Sequence, residues 1–431
     1  MFQQNGLSLD QAPPISVVFR FFFGASLFGM LAGFLILFYQ NTIFDASSVG
    51  ALTLTHTLTL GVMASFMLGA LFQMLPVIAG VVITAPTQKS WWIQLPFILG
   101  TITLLFAFNL PRYPHLYWLA SLLLGTSLLS IAGIMLKNLA GIAYHTPSSR
   151  GMMLALISFV MLVIPALYLT FTLSGLTEGI YYSEVKEAHY SFGLFGWITL
   201  LIVSISFQVI EMFYVTPPYP KWITSYLTPG ILLLLLGKAL SLHLAPAAAH
   251  TADALLALIY IGFAALTLYR LTQRKRPLAD ATIWFWRMGM TSLIGAMLLW
   301  LLSMATPQSE IRALSTIAFV SFALSVVFAM FYKIVPFLTW FHLNAQGYYT
   351  APMMHEVIHP KTAKKHFWIH LAAILSLLAS LWIEPAIYLA GALTILSFGW
   401  VAWQIIHAHL LYRKTEKSGE KFDMGSMLSD S

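Results

Sequence analysis

The chain has 431 residues, of which 59% are hydrophobic and 9% charged, and a formal net charge of +7. With a mean hydropathy of +0.81, this composition indicates a protein that crosses a membrane many times. The absence of cysteine excludes disulfides, iron–sulfur clusters, covalently attached c-type haem and thiolate copper sites.

Apolar runs of about 20 residues recur along the chain without the alternation of a β-barrel. We therefore predict an all-α polytopic membrane protein of about twelve transmembrane helices, with a single membrane domain over residues 1–411. Residues 412–431 are polar and are predicted to form a disordered cytoplasmic tail. The predicted helices cover 17–40, 50–82, 92–109, 114–136, 151–174, 189–215, 222–243, 252–271, 282–304, 312–338, 366–384 and 386–411.

Basic residues fall mainly in the loops on one side of these helices, and this asymmetry predicts that both termini are cytoplasmic. We expect a multi-pass protein of the bacterial inner (plasma) membrane. Contact with anionic membrane lipid accounts for the net charge, so no nucleic-acid partner is expected. The basic residues assigned to the inner side are Lys89, Lys137, Arg150, Lys221, Arg270, Arg274, Lys275, Arg276, Lys361, Lys364, Lys365, Arg413, Lys414, Lys417 and Lys421.

The second and sixth predicted helices begin alike, with the runs THTLTLGVMASFMLGALFQMLPVIAG and AHYSFGLFGWITLLIVSISFQVIEMF. Each has one histidine near its outer start, His56 or His189. Neutral imidazole is a common metal ligand, and a histidine in an apolar span is costly without a partner. The pair therefore favours a haem or metal site, and two interfacial histidines bonded to neighbouring helices are the alternative. After His189, Gly193 and Gly196 lie on its face and predict an open bay for a porphyrin.

A weak internal repeat relates helices two, six and ten. Phe72, Phe207 and Phe331 align, and the residues that follow them are Gln73, Gln208 and Tyr332. Since the aligned positions are about four helices apart, the chain is predicted to be a threefold quasi-repeat of four-helix units. Repeats in membrane folds often place the functional site at their interface.

Four polar residues in the inner halves of these helices form a second candidate set. Intramembrane polar and ionisable groups mark proton or ion paths by default, and structural pairing near the inner surface is the alternative. The set comprises Gln73, Gln208, Glu211 and Lys333.

The loop after helix ten contains HEVIH, residues 355–359, which matches the H-E-x-x-H zinc pattern. His355, Glu356 and His359 could hold a metal, with His366 and His370 contributing from the next helix. However, Pro360 follows at once and the loop is short, which leaves no room for a protease domain. We therefore favour a solvated loop. Cytoplasmic metal binding is the second alternative and a metalloprotease the last.

The topology, the repeat and the run HTLTLGVMASFMLGALFQMLPVIAG resemble subunit I of the haem–copper oxidase superfamily, and more closely its short relatives such as the NnrS-like membrane proteins linked to nitric oxide. The resemblance implies that His56 is an axial ligand of a low-spin haem and that His189 approximates a copper ligand. Only His243 stands where the family has an adjacent histidine pair, and it could instead be an interfacial residue near a snorkelling Lys238.

The chain departs from this family because helix ten lacks the histidines that hold the active-site haem. A complete binuclear centre cannot be assembled, which leaves enzymatic activity, of oxidoreductase type, an open question. We expect a protein that binds haem b, with copper possible, in respiratory redox or nitric-oxide-related chemistry. Quinone, a small gas ligand or a respiratory complex are the partners that the resemblance implies. The alternatives are a repeat-built transporter or channel for a small solute or ion, without haem, and a structural partner of an oxidase or reductase assembly.

Overall fold

Long apolar runs fold into long helices throughout the computed structural model, which describes residues 13–81, 83–275 and 280–421. These residues contain no β-strand, only an isolated bridge between Tyr348 and Lys421. The prediction of an all-α polytopic membrane protein is confirmed. The helices are α1 Ile15–Tyr39, α2 Val49–Ala79, α3 Pro86–Asn109, α4 His115–Ala140, α5 Pro147–Leu173, α6 Tyr182–Tyr214, α7 Lys221–Leu244, α8 Pro246–Thr272, α9 Ala281–Ala305, α10 Ser309–Ala345, α11 Pro360–Ala379 and α12 Ala386–Ser418.

Within the described residues, eleven helices are long and apolar enough to cross a membrane, one fewer than predicted. The exception is α11, which begins with Lys361, Lys364 and Lys365. Its apolar part, from His366 to Ala379, spans about 21 Å at 1.5 Å per residue, shorter than the roughly 30 Å of bilayer hydrocarbon. The eleventh predicted helix, 366–384, thus ends five residues early, and the residues that precede its apolar part are rich in lysine.

The last helix, α12, continues to Ser418 and takes in the first residues of the segment predicted to be disordered. Two hydrogen bonds hold this extension: Gln346 donates to the Tyr412 hydroxyl, 2.7 Å away, and the Tyr348 hydroxyl donates to the Glu416 carbonyl. Contact with the loop after α10 thus stabilises helix where composition alone predicts none. Residues 422–431 of the predicted tail lie outside the described residues.

Successive helices pack as antiparallel neighbours, and the first helix, α1, packs along the last, α12. Small residues allow this approach. A Cβ on Gly33 would lie 2.8 Å from the Gly391 carbonyl oxygen, and a Cβ on Gly29 would overlap the Phe398 ring. Glycines therefore set the α1–α12 spacing, as in many membrane helix pairs.

Arg150 joins α5 to α7 by donating to the carbonyls of Thr224 and Ser225, at 2.8 and 2.9 Å. Pro229 of α7 has no N–H to give to the Ser225 carbonyl, the acceptor four residues earlier. The guanidinium therefore satisfies a backbone group that the proline leaves free.

The most deeply buried spans are α2, α6 and α10. In the most apolar stretch of each, 89%, 83% and 61% of the residues are buried, whereas no other of the eleven spans exceeds 50%. An apolar cavity of about 60 Å³ lies where they meet. Its lining includes Met67, Ile202 and Val326, which occupy equivalent positions of the predicted repeat. The three corresponding helices thus surround one central space.

The helices α2 and α6 share an irregularity that the sequence does not signal. Each changes from α- to π-helical geometry for eight residues, at Thr57–Ala64 and Phe192–Thr199, and then resumes an α-helix of fifteen residues. The two segments are 135 residues apart, the same spacing as the Phe-Gln pairs. Such π-helical turns are rare and often lie at functional sites. Both begin within three residues after the candidate histidine.

Candidate functional site

His56 and His189 come together between α2 and α6. Their ring centroids are 6.3 Å apart and their planes differ by 11°. Each histidine is the eighth residue of its helix, about 10 Å along the axis from Val49 or Tyr182. Equal depth on two helices that begin at the same end of the bundle brings the two rings close together. Sequence reasoning named both residues but could not give their distance.

Hydrogen bonds orient both rings in the same way. The His56 Nδ1 lies 2.9 Å from the Leu52 carbonyl oxygen, and the His189 Nδ1 lies 3.1 Å from the Leu162 carbonyl oxygen. A carbonyl only accepts, so Nδ1 carries the hydrogen in both rings. In the neutral imidazole the lone pair is then on Nε2. Ligating histidines commonly use their second nitrogen in this way.

Aromatic and small residues surround the pair. Phe108 of α3 packs 4.9 Å from His56, centroid to centroid. The predicted open bay beside His189 is wrong, because α5 fills it. A Cβ on Gly196 would lie 2.7 Å from the Ser158 Cβ, and one on Gly193 would lie 3.1 Å from Leu162. These glycines allow close packing of α5 on α6.

A buried charged cluster lies beside His189, and sequence reasoning missed it. Lys238 of α7 is 1% exposed, and its Nζ lies 2.6 Å from Asp253 of α8 and 3.0 Å from Glu187 of α6. It also donates to the Ser191 hydroxyl at 2.9 Å. The prediction that Lys238 snorkels is therefore wrong. The sequence does contain a signal for this cluster, which is one lysine and one aspartate inside adjacent apolar runs. Buried charges in membranes are usually paired, so these two residues could have been expected to meet.

The chain matches no protein-family model and no curated protein. The resemblance to the oxidase superfamily therefore stays a prediction, and the function is inferred from the geometry of the site.

His243, the weaker metal candidate, lies near the end of α7. Its side chain is 64% exposed, and Nδ1 lies 3.7 Å from the Glu184 carboxylate. The Tyr181 ring packs edge-on at 5.5 Å. Its contacts are thus with exposed residues at the start of α6.

Two of the four predicted path residues are paired at the inner ends of their helices. Lys333 binds the Asp280 carboxylate at 2.6 Å, and Glu211 accepts a hydrogen bond from the Tyr219 amide at 3.1 Å. Asp280 caps the N-terminus of α9, and Lys333 therefore ties α10 to α9. These contacts favour the structural-pairing alternative for both residues.

The two glutamines differ. Gln73 is 3% exposed, and neither its Oε1 nor its Nε2 has a hydrogen-bond partner. Gln208 of α6 is half-buried. Two helical turns separate them from Phe66 and Leu201, which line the central cavity, so both glutamines lie on the same helix faces as that cavity, nearer the inner ends. A buried amide without partners is rare and calls for a ligand, a water molecule or a functional reason.

The HEVIH segment does not form the helical turn that a zinc pair requires. Only Met354–Val357 is helical, and Ile358 is extended. His359 has φ −66° and ψ 138° and caps α11 by accepting from the Lys361 amide through Nδ1. Pro360 explains this, because the residue before a proline avoids α-helical geometry. His355, Glu356 and His359 are exposed, as expected for a solvated loop.

His366 and His370 lie inside the bundle rather than beside that loop. They are 0% and 2% exposed, and their Nε2 atoms hydrogen-bond Ser397 of α12 at 2.8 Å and Ser325 of α10 at 3.0 Å. Phe328 packs against both rings. The two imidazoles thus fix α11 to its neighbours on two sides.

Proposed function

We propose that the protein binds b-type haem between His56 and His189 and uses it for electron transfer within the membrane. The observation that carries this proposal is the closeness of the pair: the ring centroids are 6.3 Å apart, and each ring has Nδ1 bonded to a backbone carbonyl. Metal–imidazole bonds are about 2 Å long, so two rings that bind one metal end-on through Nε2 have centroids about 6 Å apart. The distance between the two rings therefore matches that of two histidines that would hold one haem iron between them.

The number of ligands favours haem over a bare metal ion. Among the described residues, no group of three or more histidine, cysteine, aspartate or glutamate side chains could hold a metal. Zinc sites need three or four protein ligands, and copper sites are similarly rich in them. Haem iron brings four porphyrin nitrogens and requires only two from the protein. Two histidines alone thus suit haem, and they give no support to a separate copper ion.

If His56 and His189 both held the haem, this would also limit the chemistry that the haem could supply. Bound haem would supply a reversible one-electron couple. With His56 and His189 both ligating, no coordination position stays open for a gas or a substrate. The site therefore favours electron transfer over binding of a small gas. We accordingly propose a respiratory redox role and assign no catalytic residue.

The proposal includes the architecture. We infer that α11, whose full length is 20 residues, also crosses the membrane. The twelve helices would then be three four-helix units, with both termini facing the cytoplasm of a bacterial inner membrane. The matching π-helical segments of α2 and α6 and the central position of α2, α6 and α10 support the repeat. The basic residues of the inner loops support the orientation.

An absorption spectrum of detergent-purified protein from haem-replete cells tests the function. We expect a reduced-minus-oxidised spectrum of low-spin b-type haem, and H56A and H189A should each lose it. H366A is the matched control, because it removes a buried histidine from a different part of the bundle. A colourless wild type would overturn the haem proposal. A haem spectrum unchanged in both H56A and H189A would overturn the ligand assignment.

A transporter or channel for a small solute or ion is the second candidate, and one observation favours it. The unpartnered buried amide of Gln73, on the same helix face as the central cavity, could hold a polar solute or an ion's water. Uptake by proteoliposomes containing a colourless wild-type protein, lost in Q73L, would establish this function instead.

A further inference from the structure

A groove of about 450 Å³ lies between α3 and α4 at the surface of the bundle, apart from the proposed haem site. Ile93 and Ser127, both buried, form its floor, where the Ser127 hydroxyl donates to the Ile93 carbonyl at 2.7 Å. Trp92, Thr126 and Ser130 are exposed and form its rim. The groove is therefore open toward the medium that surrounds the helices, which in a membrane is lipid.

The groove lies in the half of α3 and α4 that the charge pattern assigns to the cytoplasmic side. Farther from that side the two helices pack closely, since a Cβ on Gly100 would lie 2.8 Å from the Leu124 Cγ. Along α3 the lining extends from Lys89 to Pro96, about 10 Å at 1.5 Å per residue. The groove therefore runs along the helices, from their cytoplasmic ends into the membrane.

Each of the two helices carries a lysine at this end, Lys89 on α3 and Lys137 on α4. Lys89 donates to the Thr84 hydroxyl at 2.8 Å, which uses one of the three N–H donors of its ammonium. Lys137 is exposed and lies one turn beyond the lining on α4. Neither lysine makes an ion pair with a residue that the structure describes. Between Asp45 and Glu178 the sequence has no acidic residue, and both helices lie within this stretch.

The neighbouring helices add positive charge at the same end of the bundle. Arg20 of α1 stacks on the Trp91 ring of α3, 3.7 Å from its centroid, and Arg150 of α5 bonds backbone carbonyls. By contrast, the Lys333 ammonium of α10 is neutralised by Asp280. Basic pockets between membrane helices on the cytoplasmic side bind anionic lipid headgroups. The charge around the groove is thus complementary to such a headgroup.

We propose that this groove binds one anionic phospholipid. Its phosphate accepts hydrogen bonds from the Lys89 ammonium, and its headgroup lies beside Lys137. One acyl chain follows the apolar part of the lining, at Ile93 and Pro96. Trp92 at the rim is of the residue type that membrane proteins place at headgroup level. The site does not depend on the presence of haem.

Fluorescence quenching in vesicles tests this site, because lipids with bromine on their acyl chains quench tryptophan on contact. The full chain is reconstituted into phosphatidylcholine vesicles with increasing fractions of brominated phosphatidylglycerol or, in a second series, brominated phosphatidylcholine. The difference between the wild type and W92F gives the signal of Trp92. Phosphatidylcholine has the same phosphate but adds a cation. We therefore expect half-maximal quenching of Trp92 at a mole fraction of phosphatidylglycerol roughly fivefold lower, the effect of one lysine near an anionic headgroup.

Removal of the two lysines tests whether they cause the preference. In K89Q/K137Q the two lipids should quench Trp92 at equal mole fractions. The matched control is K414Q/K417Q, which removes the same charge from exposed positions at the end of α12 and should keep the preference. Equal loss of the preference in both double variants would assign it to the charge of the whole cytoplasmic surface and would overturn the site.

Equal quenching of Trp92 by the two lipids in the wild type would also overturn the proposal, and this result needs neither lysine variant to fold. Lack of quenching by either lipid would mean that another occupant, such as a second copy of the chain, covers the groove, and the proposal would be wrong. None of these results bears on the haem, which is read from the visible spectrum.

Discussion

Two pairs of histidines lie inside this bundle, and they use their nitrogens in opposite ways. His56 and His189 bond backbone carbonyls through Nδ1, and their ring centroids lie 6.3 Å apart between two helices. His366 and His370 are one turn apart on α11, and their Nε2 atoms bond serines on two different helices. The first pair therefore leaves Nε2 for the proposed haem, whereas the second pair uses Nε2 to bond serines.

The comparison of the two pairs shows that burial alone does not mark a histidine as a candidate ligand. The α11 pair is the more deeply buried, and its i, i+4 spacing is typical of metal sites on helices. Its Nε2 atoms nevertheless point to different helices, so both cannot bind one ion. The decisive property is which nitrogen is engaged and where the other is directed.

The largest expected effect concerns the candidate ligand pair, His56 and His189. His189→Gly should lower the low-spin haem signal at least tenfold, and added imidazole should restore it by entering the space that the side chain vacates. The measurement is the absorption spectrum of purified protein titrated with imidazole. His370→Gly, the matched variant of the α11 pair, should keep the signal without imidazole. Loss of the signal in His370→Gly but not in His189→Gly would reverse the roles of the two pairs.

The second effect concerns stability at the α11 pair. His370→Ala leaves a cavity beside Phe328 and removes the partner of the Ser325 hydroxyl, so we expect a loss of about 2–4 kcal/mol in the free energy of unfolding. Denaturant unfolding in detergent micelles measures it. His355→Ala, at an exposed loop position, should change this free energy by less than about 0.5 kcal/mol. Equal losses in the two variants would show that the serine contact does not anchor α11.

Features of the fold that depend on local sequence pattern could be predicted. Runs of about 20 apolar residues located the helices, because lipid leaves the backbone few alternatives. His56 and His189 were identifiable since each stands alone at the start of an apolar span. The apolar length of α11 was overestimated, because the helix ends at Ala379 and not at residue 384.

Features that depend on contacts between distant residues could not be predicted. Lys238 was assigned to the interface because its partners, Glu187 and Asp253, lie on other helices. The bay expected at Gly193 and Gly196 is filled by α5, which the sequence of α6 cannot reveal. The π-helical segments have no sequence signature, so the strongest structural likeness of α2 and α6 appeared only in the fold.

The third effect concerns the Gln73 side-chain amide, which has no hydrogen-bond partner. Gln73→Leu removes two buried polar atoms that lack hydrogen bonds, so the free energy of unfolding should rise by about 1 kcal/mol. Denaturant unfolding measures it, with Gln208→Leu as the control, because Gln208 is half-buried and less affected. A loss of stability in Gln73→Leu would mean that the amide holds water or a solute, which would favour the transporter alternative.

The smallest effect concerns Asp280, a fully engaged polar group outside the membrane spans. Burial opposes its ionisation, but Lys333 and hydrogen bonds from Thr282 outweigh burial and hold the pKa of the Asp280 carboxyl below its usual value. The stability from this ionised carboxylate is therefore complete above the unfolded-state pKa, about 3.9, and is lost as the pH falls through the lower folded-state pKa. The Tm of the wild type should exceed that of D280N at neutral pH, and the difference should shrink only in strongly acidic solution. In proteins that also carry Lys333→Met, the difference in Tm between Asp280 and D280N should be smaller at neutral pH. The Asp280 carboxylate then keeps only its hydrogen bonds at the start of α9. A difference that is unchanged from neutral to strongly acidic pH would mean that the ion pair contributes nothing and that Asp280 acts only as a neutral cap.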